Sequence, residues 1–239
     1  MSYLTTQDYG LIGNHFSAAL VSRLGSIDWC CFPYLDSPSH FANYSDRNQG
    51  GKFQIAPQGE FRTRQQYYSR TQVLETLFET PTGRGILSDW MPLGENSTSG
   101  PMICRKLAVI EGTICWGLLC HPRFQYGSEP AQAEKNPRGV LFRGSQFEDR
   151  VILQADFPIN IQLQSAAVTG EVTLDAGQST TVLWLWGRRG DLSEVNVHQK
   201  LIVPEIQPTL LKWKQIAHQC PPEGCLFGGP WQKSSHGPD

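Results

Sequence analysis

Hydrolytic chemistry needs either a nucleophile beside a base or two carboxylates held in different environments. The carboxylates best placed to try are Asp28, Asp36, Asp89 and Glu111. Asp28 follows the Leu24-Gly25 turn and alternates out of the Ile27/Trp29 face, which predicts a solvated strand residue. Asp36 precedes Ser37-Pro38 and can accept backbone N–H groups as an Asx turn, and Asp89, beside Trp90-Met91-Pro92, is read as structural in the same way. No G-x-S-x-G elbow is present, and no histidine stands persuasively near a serine or cysteine. Cys115, Cys120 and His121 are close in sequence, but alternate residues of a strand face opposite ways and no C-x-x-C pair exists, so no metal site is expected. Cys220 and Cys225 flank a Pro-Pro-Glu-Gly turn and are read as ordinary thiols rather than a redox pair. Neither "GRGIL" nor "GRRGD" has the spacing of a phosphate-binding loop, so no cofactor is expected. Among the seven tryptophans, Trp184 and Trp186 share a strand face and read as core. Trp29 and Trp90 are expected half-exposed at strand ends. With Tyr34 and Asp36 they form the candidate ligand-binding set.

The chain that must position these groups has 239 residues, 39% of them hydrophobic, 10% aromatic and 18% charged. That is enough for a large core and too aromatic for a disordered chain. Twenty Lys and Arg against 22 Asp and Glu leave a net charge of −2, so nucleic acid is not an expected partner. The start "MSYLTTQDYGLIGNHF" lacks the basic and apolar regions of a secretory signal, and no run approaches the roughly 18 apolar residues of a membrane span. Together with an odd count of seven cysteines, this leads to a cytoplasmic expectation with reduced thiols, mostly small core residues, and no membrane partner.

Period-two alternation dominates to about residue 205, with turn residues between the runs. Hairpins are expected across Leu24-Gly25, across Pro81 to Gly83 and across Glu111-Gly112, where Ile103, Arg105, Leu107 and Val109 precede the turn and Ile114, Trp116, Leu118 and Cys120 follow it. Further strands are read in "RVILQADFPINIQLQ" and "EVTLDAGQSTTVLWLWG". The polar, Pro-containing stretch 129–139 reads as a loop. Ten or more antiparallel strands make an all-β fold, a two-sheet sandwich or a barrel. Near Pro204 the period changes: Leu210, Trp213, Ala217 and Cys220 form one stripe of a helix with Pro208 in its first turn.

The spaced motifs "DYGLIGNHFSAALVSRLGSIDWCCFPYLDSPSHFA", "GGKFQIAP", "QVLETLFETPTGRGILSDWMPL" and "CHPRFQYG" occur in an order that resembles the N-terminal domain of bacterial glycoside hydrolase family 15 proteins, the glucoamylase and bacterial-type trehalase group, over roughly residues 7 to 231. The resemblance implies a large antiparallel β-sandwich joined by a linker helix to an (α/α)6 barrel. In such enzymes two barrel glutamates cleave α-glucosidic bonds with inversion. It therefore implies a sandwich over residues 1–205, then a linker helix and the start of a barrel over 206–239, whose 34 residues are too few for the barrel itself. Two positions depart from the family pattern: "PRFDSP" is "PYLDSP" here, with Tyr34 in place of arginine, and "PRFDYG" is "PRFQYG", with Gln125 in place of a carboxylate. The expectation is a non-catalytic domain, inactive alone, whose loop at Asp36 faces a barrel in cis or in trans. A free-standing module for α-glucan or trehalose, built on Trp29, Tyr34 and Trp90, is the alternative. Self-association is expected through the stripe Leu210, Trp213 and Ala217, left exposed without a barrel.

Overall fold

In the computed structural model, residues 4–93, 101–137, 139–145, 150–162, 164–187 and 206–219 are described. The strands are β1 (Tyr9–Gly13), β2 (Ala18–Ser22), β3 (Ser26–Cys31), β4 (Ser39–Phe41), β5 (Lys52–Pro57), β6 (Arg62–Tyr67), β7 (Leu74–Thr80), β8 (Gly83–Trp90) and β9 (Met102–His121). They continue as β10 (Arg123–Phe124), β11 (Glu129–Pro130), β12 (Gln132–Asn136), β13 (Gly139–Arg143), β14 (Arg150–Ala155), β15 (Ile159–Gln162), β16 (Ala167–Asp175) and β17 (Ser179–Gly187), followed by the helix α1 (Ile206–Gln219). All their pairings are antiparallel. One sheet runs β1-β2-β3-β5-β9-β16-β15, with β4 beside β3; the other runs β6-β7-β8-β9-β17-β14-β13-β12. The fold is thus the expected all-β sandwich, and the alternating apolar residues of both sheets meet in one core.

β9 belongs to both sheets, and this corrects the hairpin expected at Glu111-Gly112. Its first half pairs with β8 and β17, its second with β5 and β16. The expected alternation holds on both sides, from Ile103 to Val109 and from Ile114 to Cys120, but the chain does not reverse. Gly85 faces Val109 and Arg84 faces Glu111, so Ile110 is an extra residue, bulged out and half-exposed. Gly112 has φ +69, and a Cβ there would lie 2.1 Å from the Thr82 carbonyl oxygen. A bulge beside a left-handed glycine bends and twists a strand, which here carries it from one sheet into the next. The sequence pattern of a turn and of a sheet-switching bend is the same.

The stretch 129–139 is not a plain loop. It holds β11 and β12, the latter paired with β13 through Lys135 opposite Val140. β12 ends its sheet, where both faces approach water and polar residues are tolerated, so its composition imitates a loop.

α1 does not stand free. Leu210 is buried with Val73, Trp90, Met102, Cys104, Leu183 and Leu185, and Ile206 packs against the same group. Pro208 sits in the first turn, as expected. Trp213 and Ala217 are half-buried, so of the stripe expected to be exposed Leu210 lies against the outer face of the second sheet and the other two are partly covered. The stripe is thus covered in part rather than left fully exposed, and Cys220 lies outside the described residues. The same contact buries Trp90 to 1% exposure, correcting its expected half-exposure.

Among the described residues, two of the polar links that join the sheets are fully buried. On adjacent strands of the second sheet Asp89 and Arg105 are in register, and both side chains are fully buried. Arg105 Nε donates to Asp89 Oδ1 at 2.7 Å. Its other nitrogens reach across the core, Nη1 to the Phe53 carbonyl at 2.6 Å and Nη2 to the Gly25 carbonyl at 2.8 Å. The guanidinium also lies 4.6 Å from the centre of the Phe53 ring. Gly25, at φ +73 in the β2–β3 turn, must be glycine, because a Cβ would lie 2.1 Å from the Ile55 carbonyl oxygen. The second link is Trp184 Nε1 donating to His40 Nδ1 at 3.2 Å, inside a shell of Phe32, Phe124 and Trp184 rings.

Leaving one member of a buried charge pair alone costs about 3–5 kcal/mol. Arg105→Ala or Asp89→Ala is therefore expected to lower unfolding free energy by that order in denaturant titrations. Burial pushes His40 down to about 3, against about 6.5 in an unfolded chain. Below pH 6.5 the unfolded chain binds this proton and the folded chain does not. Stability is thus intact above pH 6.5 and falls towards pH 3 by about 1.4 kcal/mol per pH unit from this group. Denaturation of the wild type and of His40→Gln between pH 7 and 5 should show that slope in the wild type and its loss in the variant.

Candidate functional site

The two strand exits that look alike in sequence, "CFPYLDSPS" and "CHPRFQYGS", meet at one end of the sandwich. Asn14 builds the first side: its Oδ1 accepts from the amides of Phe16 and Ser17, both at 2.9 Å, and turns β1 into β2. The Leu35 amide donates to the Phe16 carbonyl at 2.9 Å, so the 33–37 loop is tied to that turn. The second exit joins through Tyr126, whose amide donates to Ser39 Oγ at 3.0 Å and whose hydroxyl lies 3.9 Å from Cys31 Sγ. Gln125 and Tyr126 both have left-handed backbones, φ 53 and 58. Gln125 thus fills a strained position that aspartate tolerates better.

His15, Phe16, Tyr34, Leu35 and Asp36 line a shallow cleft here. Phe16, Leu35 and Tyr126 are 58%, 58% and 60% exposed, and Phe16 meets Tyr34 edge to face. The His15 ring approaches Trp213 of α1 at 6.2 Å, so the helix borders the same end.

Of the four candidate residues, Tyr34 and Asp36 share this cleft. Trp29 lies half-buried on β3, opposite Leu20, and Trp90 is beneath α1. Asp36 does not lock its turn as expected. Ser37 does, its Oγ accepting from the Tyr34 amide at 3.2 Å and its amide donating to the Tyr34 carbonyl at 3.1 Å. Among the described residues no hydrogen bond is made to the Asp36 carboxylate, which stands exposed. Serine competes for the same turn geometry, so sequence alone does not say which side chain closes it. His15, Phe16, Leu35 and Tyr126 were missed by the sequence reading. Asn14, the turn residue before His15 and Phe16, was the available signal for that pair; nothing local to Tyr126 shows that it meets Ser39.

The other carboxylates are spoken for. Asp28 is buried, not solvated: it accepts from Tyr9 Oη at 2.9 Å, Ser26 Oγ at 2.6 Å and Asn43 Nδ2 at 2.9 Å. The segment 42–50 covers it, with the Tyr44 amide donating to the Asp28 carbonyl at 2.8 Å. Burial, then the Asp28 charge, pushes the Tyr9 hydroxyl up. Asp89 is committed to Arg105; its burial holds the carboxyl above the usual range against the pull of the guanidinium. Glu111 pairs with Arg84 at 2.8 Å on the surface.

Nucleophilic chemistry finds no support in four of the described thiols. Burial pushes Cys30, Cys31, Cys104 and Cys120 up, away from thiolate. His40 is sealed in the core and stays neutral. Among the described residues no group of three His, Cys, Asp or Glu is placed to hold a metal ion, and Cys220 and Cys225 lie outside them.

A family described as trehalase-like, N-terminal, matches residues 5–200. A trehalase of Thermoplasma volcanium is 30% identical over 190 residues, covering 77% of this chain and 30% of its own length. Trehalase 1 of Sulfolobus acidocaldarius is 33% identical over 150 residues, covering 62% of this chain and 25% of its own. The chain thus spans between a quarter and a third of these curated relatives. A bacterial glucoamylase solved in complex with acarbose shares the fold, with a TM-score of 0.58 at 6% identity, over 92% of this chain and 38% of that one.

Proposed function

The chain belongs to the trehalase-like N-terminal family, and from that premise we propose that it is the non-catalytic sandwich domain of a glycoside hydrolase family 15-like α-glucosidase, of trehalase or glucoamylase type. Residues 1–205 are the sandwich; residues 206–239 lead towards a helical barrel that carries the two acids, in this chain or in another.

One observation carries this reading. Cleaving a glycosidic bond takes two carboxylates across a substrate, about 5–5.5 Å apart for retention or about 6.5–9.5 Å for inversion. The end cleft is lined by one carboxylate, Asp36. A groove on the outer face of the first sheet is also lined by one, Glu171. Asp28 and Asp89 are saturated inside the core.

The end cleft suits a supporting role. Phe16, Tyr34, Leu35 and Tyr126 gather exposed apolar surface, held by backbone hydrogen bonds and bordered by α1, the element that continues towards the barrel. Such patches mark contact surfaces. Tyr34, standing where family members carry arginine, makes that contact less ionic. The five cysteines among the described residues are all free, which fits a reducing cytoplasm. No helix among the described residues is long and apolar enough to cross a membrane.

The test is an assay of the purified chain on trehalose and on maltotriose. No glucose release above the no-protein rate is expected. Release that disappears in Asp36→Asn or in Glu171→Gln would overturn the non-catalytic assignment.

A further inference from the structure

Four of the nine large apolar side chains left exposed among the described residues stand together at the end cleft: Phe16, Tyr34, Leu35 and Tyr126. Each leaves about 100 Å² in water, about 400 Å² in all. That area decides what can cover it. Stable association between separate molecules takes roughly 800 Å² from each partner, twice what the patch supplies. A segment tethered to the same chain needs far less, because a short linker presents it at an effective concentration in the mM range.

The chain delivers such a segment to this place. Ile206 and Leu210 seat the start of α1 on the outer face of the second sheet, and Trp213, further along, reaches the His15 ring beside the cleft. From Trp213 the helix runs six more residues to Gln219, about 9 Å along its axis. Pro221 and Pro222 cannot continue a helix. The twelve residues 220–231, "CPPEGCLFGGPW", reach up to about 40 Å when extended, which is ample to double back over the cleft.

Their composition matches the patch. Leu226, Phe227 and Trp231 bring large apolar side chains, and tryptophan in particular anchors contacts of this kind. Lys233 follows Trp231 by two residues, and the exposed Asp36 carboxylate makes no hydrogen bond among the described residues. Beside the cleft, Trp213 Nε1 is buried and has no acceptor, a need that the carbonyls of an added peptide meet.

We propose that residues 220–231 of this chain fold back over the end cleft and seat Phe227 and Trp231 against Phe16, Leu35 and Tyr126. The inference rests on the reading of this cleft as a contact surface and names its occupant as the chain itself.

The test uses the full chain. In ¹H–¹⁵N spectra Trp231→Ala is expected to shift the amides of Phe16, Leu35 and Tyr126 and to leave those of Leu107 and Val168 in place. The wild-type positions of the three cleft amides should not change on dilution from about 1 mM to about 50 µM, since the tether sets the local concentration. Leu35→Glu, a change at an exposed position, should speed chymotrypsin cleavage after Phe227 and Trp231 about tenfold. Cleft amides untouched by Trp231→Ala, or equal cleavage of Leu35→Glu and wild type, overturn the proposal. So do cleft amides that move on dilution, which would make the occupant a second copy. Neither readout involves a sugar, so failure here leaves the non-catalytic assignment standing, and glucose release in its own assay leaves this one.

Discussion

The buried Arg105 guanidinium is the constraint on which the rest of the molecule rests. It is held by Asp89 on the neighbouring strand of its own sheet and donates to two backbone carbonyls, those of Phe53 and Gly25, on the other. Burying a charge is costly, and the pair need not add net stability over an apolar core. What it adds is uniqueness of arrangement. Five donors in a planar fork accept few geometries, and only one offset of the two sheets puts both carbonyls and the Asp89 carboxylate in reach at once. Slipping β8 or β9 by one residue would turn one of the charges outward.

That offset is transmitted to the surfaces. Gly25 closes the β2–β3 turn, and β3 leads directly into the loop that presents Tyr34 and Asp36. β9, which carries Arg105 in one sheet, carries Gly117 of the outer groove in the other. The end cleft and the outer groove are therefore fixed by one frame. A β-sandwich supplies rigid edges and faces of this kind, and it devotes its interior to packing. Here Asp89 is paired with the Arg105 guanidinium, and Asp28 accepts hydrogen bonds from three neutral side chains.

Much of this was legible in the sequence, for reasons that are local. Alternation in "QVLETLFETPTGRGILSDW" and "TTVLWLW" reports strands directly, and the motifs quoted for the family reported the sandwich. The misreadings share one physical cause, that burial depends on what covers a residue from elsewhere in the chain. Asp28 alternates like a solvated residue, but segment 42–50 closes over it. Trp90 lies at a strand end, but α1, more than a hundred residues later, lies on it. Gly112 marks a turn in any local reading, and only the pairing of β9 with four other strands shows that the chain bends there without reversing. Asp89 and Arg105 are sixteen residues apart and become a pair only once the register of β8 on β9 is known. In the candidate site, Tyr34 and Asp36 could be read because Pro-flanked loops after strands are surface features. Phe16 was marked only by the Asn14 turn before it, and Tyr126 arrives through a tertiary contact that leaves no local mark.

Native-state hydrogen exchange of the Arg105→Met variant tests the clamp most directly. If the guanidinium holds the sheets together, the amides of Ile27 and Ile55 in one sheet and of Leu87 and Leu107 in the other lose protection together, by a common factor, relative to the wild type. Loss of protection confined to Leu87, Leu107 and their neighbours, with Ile27 and Ile55 unchanged, would show that Arg105 serves its own sheet alone and would contradict this account.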